Sequence, residues 1–132
     1  MHKLKLLFPL FLLVIYACHD EKDTVYRECE ESIVGEWIWL RSEGGIIESL
    51  NPENTGWNIR LEVGDSIWRE FRNDTLIFDD KYVFEQSSDT IFYRGRIRFE
   101  NHYPYNIKVI NCTLYHDGVF DDSPDFIYER KE

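Results

Sequence analysis

The chain has 132 residues, of which 25 are acidic and 15 are Lys or Arg, so its formal net charge is −10 at pH 7. This charge excludes a nucleic-acid binder of the usual kind, because such proteins need basic patches that neutralise phosphates. The length suits one domain with one sizeable hydrophobic core and predicts no second domain.

The start of the chain resembles the signal peptide of a bacterial lipoprotein. Residues 6–17 form an apolar run, which is shorter than the roughly 20 residues that a transmembrane helix needs. Its last residue, Ala17, is small, and Cys18 follows. The residues that make the start basic are His2, Lys3 and Lys5. We therefore expect residues 1–17 to be cleaved and Cys18 to carry lipid; ordinary signal cleavage and an uncleaved anchor are the alternatives.

Lipid on Cys18 predicts a protein held on a membrane in the envelope of a Gram-negative bacterium, on the periplasmic or the surface face of the outer membrane. Loss of residues 1–17 removes two lysines and no acid, which changes the net charge from −10 to −12. Residues 18–32 then form an acidic tether, and residues 33–132 form the folded domain. The acids after Cys18 act either as a sorting signal or as a solvated spacer.

Two cysteines remain after lipidation. Cys29 and Cys112 are an even pair in an oxidising compartment, which favours a disulfide between them. The alternative is two unrelated thiols, with Cys29 in the tether and Cys112 packed as a small apolar residue.

From Ile33 onward apolar and polar residues alternate, which is the period of a strand with one buried face. Ile97 and Phe99, for example, alternate with Arg96 and Arg98. Strands are predicted over residues 34–42, 57–63, 66–72, 75–78, 81–86, 89–99, 105–110, 113–116 and 126–131. Short links, including a tight turn expected at Asp79-Asp80, join them. The pattern predicts an all-β, antiparallel up-and-down meander that closes into a small eight-stranded barrel.

One motif adds a family resemblance. Gly35-Glu36-Trp37 matches the Gly-x-Trp opening of the lipocalins and other calycins, and residues 33–131 are similar to the lipocalin-like domains of small bacterial lipoproteins. The resemblance implies that the late Arg130 lies over the ring of Trp37. Such a cation–π contact contributes about 0.5–2 kcal/mol and would close one end of the barrel.

The volume of the inward side chains decides whether such a barrel has a cavity. We interpret five residues as candidates to bind a small apolar or amphipathic molecule: Trp37, Trp39, Arg41, Trp57 and Tyr93. Arg41 meets a carboxylate at the mouth if its alternation with the two tryptophans before it continues. The alternative is an aromatic core that fills the barrel and leaves Arg41 in solvent.

The chain carries no motif of a known catalytic centre, neither a Gly-x-Ser-x-Gly elbow, nor His-Glu-x-x-His, nor a phosphate-binding loop. We therefore expect no enzyme, no cofactor and no bound metal. One acidic segment offers an alternative, because calcium takes several carboxylate oxygens. Its ligands would be Asp117, Asp121, Asp122 and Asp125; a solvated hairpin loop is the simpler interpretation.

Four triplets of Asp, a hydroxyl residue and an aliphatic residue resemble the O-glycosylation acceptor of exported proteins in some anaerobic Gram-negative bacteria. Their hydroxyl residues are Thr24, Ser66, Thr75 and Thr90. Ordinary hairpin chemistry, in which Asp turns the chain and Thr or Ser starts a strand, explains the last three equally well. Thr24 lies in the predicted tether, where hairpin chemistry explains least, and is therefore the best acceptor.

Two functions follow from this sequence. The first is an envelope lipoprotein whose barrel binds a small apolar or amphipathic molecule. The second is a filled barrel that contacts a protein or a glycan through its loops. A continuous cavity favours the first function, and exposed aromatic loops favour the second.

Overall fold

The computed structural model describes residues 29–46, 48–88, 93–117 and 123–132. These residues form eight strands and one short helix. The elements are β1 (Gly35–Glu43), α1 (Pro52–Thr55), β2 (Ile59–Val63), β3 (Ile67–Arg72), β4 (Thr75–Gln86), β5 (Tyr93–Phe99), β6 (Tyr105–Ile110), β7 (Thr113–His116) and β8 (Asp125–Arg130).

Each strand pairs with the next one along the chain, and β8 pairs back with β1, so the sheet closes into a barrel. All eight pairings are antiparallel. The predicted fold class, an all-β up-and-down barrel of eight strands, is therefore confirmed. Closure leaves the sheet without an unpaired edge strand.

Two hairpins turn within two residues each. Asn73-Asp74 joins β3 to β4 with φ angles of 49° and 64°, and Asn111-Cys112 joins β6 to β7 with φ angles of 47° and 64°. Positive φ at both central residues is typical of a type I′ turn, whose twist matches that of the flanking strands. Asn tolerates this conformation well, whereas the second position of such turns favours glycine.

The predicted turn at Asp79-Asp80 is wrong, because both residues lie inside the twelve-residue strand β4. The first part of β4, up to Lys81, pairs with β3, and the remainder, from Tyr82, pairs with β5. Asp79 is accommodated on the outer face because Arg69, its neighbour across β3 and β4, forms an ion pair with it at 3.6 Å.

The strand predicted from Trp57 begins two residues later, at Ile59. Helix α1 ends at Gly56, which has a φ of 70°, and this left-handed residue redirects the chain before the strand starts. The backbone N–H of Asn58 donates to the side-chain Oδ1 of Asn73 at 2.8 Å, and the backbone N–H of Asn73 donates to the carbonyl of Asn58 at 2.9 Å. Trp57 therefore lies in a loop and not on the inner face of β2.

The two ends of the barrel differ. At the closed end, where β1 begins and β8 ends, the interior is filled by buried apolar side chains that include Ile33, Trp37 and Val109. At the open end, where β1 ends and β8 begins, the interior side chains are aromatic and polar. The long β1–β2 connection, which carries α1, lies at this open end.

Candidate functional site

The open end of the barrel contains a cavity of about 100 Å³. An engineered apolar cavity of about 150 Å³ holds one benzene molecule, so this space suits a smaller group, or a ligand of that size that extends beyond the open end of the barrel. We call it the open-end cavity. Its lining residues are Trp68, Glu70, Phe78, Phe99, His102, Tyr105, His116 and Tyr128.

Strand alternation aims seven of these side chains inward from six strands, and His102 lies in the β5–β6 connection. Trp68 and Glu70 are two residues apart on β3 and face Val63 and Leu61, which are buried in the core. His116 faces Ile107 across β6 and β7, and Ile107 is buried as well. Directly paired residues project from the same face of a sheet, so the cavity and the core share the inner face.

The walls are aromatic rings in edge contact. Phe99 lies at the centre of this group, with ring centroids 5.9 Å from Trp68 and 5.1 Å from Phe78, at interplanar angles above 80°. The rings of Tyr105 and His116 are 4.5 Å apart. Edge-to-face packing of this kind is the favoured geometry of aromatic pairs, and it gives the cavity rigid walls.

Glu70 is the acidic group of the cavity. Burial among the rings raises the pKa of its carboxyl group, while the positive charge of Arg72 acts in the opposite direction. Tyr128, which is fully enclosed, has its hydroxyl pKa raised well above the usual value by burial and by the nearby charge of Glu70. Tyr128 therefore remains a neutral hydrogen-bonding hydroxyl at physiological pH.

His116 is the basic group of the cavity. Burial lowers the pKa of its imidazole to about 4, although the negative charge of Asp125 opposes the shift. The ring is therefore neutral at pH 7 and offers one nitrogen as a donor and the other as an acceptor. Glu70, His116 and Tyr128 together provide three polar groups inside an otherwise apolar wall.

Arg72 and Trp57 do not line this cavity, although Arg72 is close enough for its charge to act on Glu70. Arg72 pairs with the buried Ile59, which puts it on the inner face of β3, and its guanidinium lies 4.5 Å from the centroid of the Trp57 ring. The Nε atom of Arg72 is buried and has no hydrogen-bond partner within the described part of the chain. A buried donor without an acceptor is costly, and a polar ligand atom that reached it would satisfy it.

The closed end is sealed by Trp37 and Arg130. The guanidinium carbon of Arg130 lies 4.3 Å from the Trp37 ring centroid. Arg130 also donates hydrogen bonds to three backbone carbonyls of the segment before β1, those of Glu30, Ser32 and Val34, at 3.2, 2.5 and 2.8 Å. The chain between Cys29 and β1 is thereby held across this end, although the sequence assigned residues up to 32 to the tether.

Gly35 is required by this arrangement. A Cβ atom at this position would lie 2.7 Å from Nη1 of Arg130, and the φ angle of Gly35 is 144°, which residues with a side chain rarely adopt. The Gly-x-Trp motif thus supplies the Trp37 ring that the Arg130 guanidinium covers, and its glycine leaves room for Nη1 of Arg130.

Cys29 and Cys112 form a disulfide that joins the segment before β1 to the β6–β7 turn, with Cα atoms 5.3 Å apart. This separation is within the usual range for a disulfide. Cys112 occupies the second central position of the type I′ turn, where glycine is ordinarily preferred. The covalent link therefore gives a reason for a cysteine at a position that disfavours side chains.

The structure does not bring the predicted ligand-binding residues together. Trp37 and Trp39 are 0 and 2% exposed and belong to the filled core, and the indole N–H of Trp39 donates to Ser42 at 3.2 Å. Tyr93 lies toward the closed end and stacks on Phe84, with centroids 5.4 Å apart. Trp57 is 38% exposed, lies under the guanidinium of Arg72 and is not among the residues that line the cavity.

Arg41 does not continue the inward alternation of Trp37 and Trp39. The pairing of β1 with β8 shifts register between Trp39 and Arg41, so Ser42 becomes the buried residue and Arg41 points outward. Its guanidinium forms an ion pair with Glu43 on the outer surface. A β-bulge changes which side chains face inward, and the alternation alone does not reveal it.

The polar residues of the open-end cavity were not predicted from the sequence. Glu70 has the same parity as Trp68 on β3, and His116 has the same parity as Leu114 on β7. A charged or titratable residue on the apolar parity of a strand was therefore the available signal. Such inward polar residues are uncommon unless they are paired or functional.

Several predicted positions lie outside the described residues: Cys18, Thr24, Thr90, Asp121 and Asp122. Ser66, in the β2–β3 turn, and Thr75, the first residue of β4, are both exposed. Within the described ranges, no group of three or more metal-ligating side chains occurs. No helix in the same ranges is long and apolar enough to cross a membrane.

Comparison of the chain with protein-family models, with curated proteins and with solved structures gave no match.

Proposed function

We propose that this chain is an envelope lipoprotein with a lipocalin-like barrel, which binds one small amphipathic molecule in the open-end cavity. The apolar part of the ligand contacts the rings of Trp68, Phe78 and Phe99. Its polar group binds to Glu70, His116 or Tyr128. A few polar groups set in an aromatic wall are the usual composition of a small-molecule site.

The observation that carries this proposal is the partial burial of Glu70 in the cavity wall. Removing a carboxyl group from water is unfavourable, and the raised pKa of Glu70 reflects that cost. Leu or Phe at this inward position would complete the core without it. A ligand donor that binds the carboxylate compensates for the desolvation, so a ligand explains why an acid is placed there.

The closed end supports the kinship with lipocalins. Gly35, Trp37 and Arg130 combine the Gly-x-Trp opening with a stacked late arginine, as the resemblance implied. Membrane anchorage is supported by the resemblance of residues 1–18 to a lipoprotein signal. With lipid on Cys18, the protein would hold its ligand close to a membrane surface.

Titration with phenol tests the cavity directly, because phenol combines one aromatic ring with one hydroxyl donor. The full chain, kept in a non-ionic detergent, is followed by the indole N–H signals of its tryptophans in NMR spectra. We expect the Trp68 signal to shift in a saturable manner and the signal of the enclosed Trp37 to remain in place. Shifts of equal size at both indoles, or none at either, would contradict a site at the open end.

Glu70→Gln is the matched variant for this titration. It keeps the size of the side chain but replaces a charged acceptor by a neutral one, and hydrogen bonds to charged groups are stronger. We expect phenol binding to weaken by about fivefold, which corresponds to about 1 kcal/mol. Glu129→Gln, on the exposed face of β8, is the control and should bind like the unmodified chain.

A second function, contact with a protein or glycan through the loops, is favoured by one observation. Ile46 and Tyr103, in the β1–β2 and β5–β6 connections at the open end, are 83 and 69% exposed. Aromatic and aliphatic side chains at this exposure are common in interaction surfaces. If these loops bind a protein or a glycan, replacing Ile46 and Tyr103 by Ser should abolish that binding without changing the phenol titration.

A further inference from the structure

The outer wall of the barrel carries a second concave surface, formed by β5 and β6 and by the adjoining part of β4. Its volume is about 520 Å³, several times that of the open-end cavity. We call it the basic groove because its cationic side chains, Arg94, Arg96 and Lys108, lie on one face. The other residues that line it are Glu85, Ser87, Gly95, Asn106, Ile107 and Asp117.

Strand register places like charges side by side in this groove. Arg94 lies directly opposite Lys108 across β5 and β6, and Arg96 projects from the same face two residues further along. Like charges in directly opposite positions destabilise a sheet. The concentration of positive charge is unexpected in a chain with 25 acidic residues.

The acids nearest to the groove do not neutralise its arginines. Glu85 lies opposite Arg96 across β4 and β5, but its carboxylate forms an ion pair with Arg98 at 2.5 Å. Among the described residues, no carboxylate lies within ion-pair distance of Arg94 or Arg96. Within that part of the chain, neither guanidinium group is neutralised by an ion pair.

Lys108 and Asp117 form the other side of the groove. The ammonium group of Lys108 lies 4.8 Å from the centroid of the Tyr115 ring. Burial and the charge of Asp125 raise the pKa of Asp117, and the positive charge of Lys108 opposes this shift. Ser87 and Asn106 add a hydroxyl and an amide. The groove therefore combines cations for one anionic group with neutral polar groups for hydroxyls.

We propose that the basic groove binds an organic anion of about the size of a sugar phosphate or a sugar acid, with its phosphate or carboxylate between Arg94 and Arg96. Guanidinium groups bind these anions with paired hydrogen bonds. The volume exceeds by more than threefold the roughly 150 Å³ that holds benzene, so an inorganic anion would fill only part of it. The site is separate from the open-end cavity and does not depend on the function proposed there.

The test is an NMR titration of the full chain in a non-ionic detergent with glucose 6-phosphate, glucuronate, inorganic phosphate and glucose. We expect saturable shifts of the backbone amides of residues 94–96 and 106–108 with both organic anions, and none with glucose. Glucose 6-phosphate should bind at least about fivefold more tightly than inorganic phosphate. Affinity should fall in 0.5 M salt, since exposed charges are screened.

Variants identify the residues responsible. Arg94→Gln combined with Arg96→Gln should weaken binding of glucose 6-phosphate at least about tenfold, whereas Arg69→Gln, an exposed arginine of β3 outside the groove, should leave it unchanged. Thermal unfolding confirms that each variant folds. The proposal is overturned by an absence of shifts at 50 mM ligand, by shifts that survive in the double variant, or by equal affinities for inorganic phosphate and glucose 6-phosphate.

Discussion

The guanidinium carbon of Arg130 lies 4.3 Å from the ring centroid of Trp37, its pairing partner across β1 and β8. The contact joins the first strand to the last and so secures the closure of the barrel. Because Arg130 also binds three carbonyls of the segment before β1, it seals one end of the barrel.

Replacing Arg130 by Lys tests this role. Lysine keeps the positive charge but has no planar group to stack on Trp37 and fewer donors for the carbonyls. We expect the free energy of unfolding to fall by about 2 kcal/mol in chemical denaturation, from the combined loss of cation–π and hydrogen-bond contacts. Arg69→Lys, at a surface ion pair, is the control and should change it by less than about 0.5 kcal/mol.

The disulfide makes a second prediction. It closes a loop between residues that are 83 positions apart, which constrains the unfolded chain. On the chain-entropy model, replacing both Cys29 and Cys112 by Ser should lower the free energy of unfolding by about 4–5 kcal/mol. If a reducing agent lowers the melting temperature of the unmodified chain as much as that of the double variant, the cross-link is not the source of the stability.

His116 predicts a loss of stability in acid. Its folded pKa of about 4 is below the unfolded value of 6.5, so between pH 6.5 and 4 the unfolded chain gains a proton that the folded chain does not. Folding should therefore weaken progressively as the pH falls through this window, by roughly 3 kcal/mol in total. Chemical denaturation at several pH values measures this.

The matched variants for this effect are two histidine substitutions. His116→Gln should remove the part of the pH dependence that begins near pH 6.5, while His102→Gln, at the exposed mouth, should retain it. An unchanged pH profile in His116→Gln would show that other groups are responsible.

Glu70 makes a prediction of opposite sign. Its folded pKa is raised, so the folded state disfavours the ionised carboxylate, and the cost is present above the folded pKa and absent below the unfolded one. Glu70→Gln should therefore increase the free energy of unfolding at pH 7 and lose this advantage as the pH falls through the folded pKa toward 4.5. A variant that is less stable at pH 7 would contradict the assignment of Glu70 as a partly buried acid.

Much of the fold was predictable from the sequence, because period-two alternation and short polar links define an antiparallel meander. The Trp37–Arg130 contact was anticipated through the resemblance to calycins. What the alternation could not show was where it breaks. The bulge after Trp39 turns Arg41 outward. The left-handed Gly56 redirects the chain, so that Trp57 lies outside β2.

The open-end cavity was not predictable for a related reason. Its existence depends on how the rings of Phe99 and Trp68 pack around Glu70, and such packing is a property of three-dimensional distances. A second register shift, between Glu70 and Phe71, leaves Ile77 of β4 without a paired residue on β3 and places Phe78 opposite Glu70. No periodic pattern in the sequence encodes that shift.

Native mass spectrometry of the protein purified from its native cells tests most directly the proposal that the barrel holds a small molecule. We expect a bound mass that is released on denaturation and that is reduced in Glu70→Gln but not in Glu129→Gln. Identical masses before and after denaturation, in protein that also fails to bind phenol, would contradict the proposal.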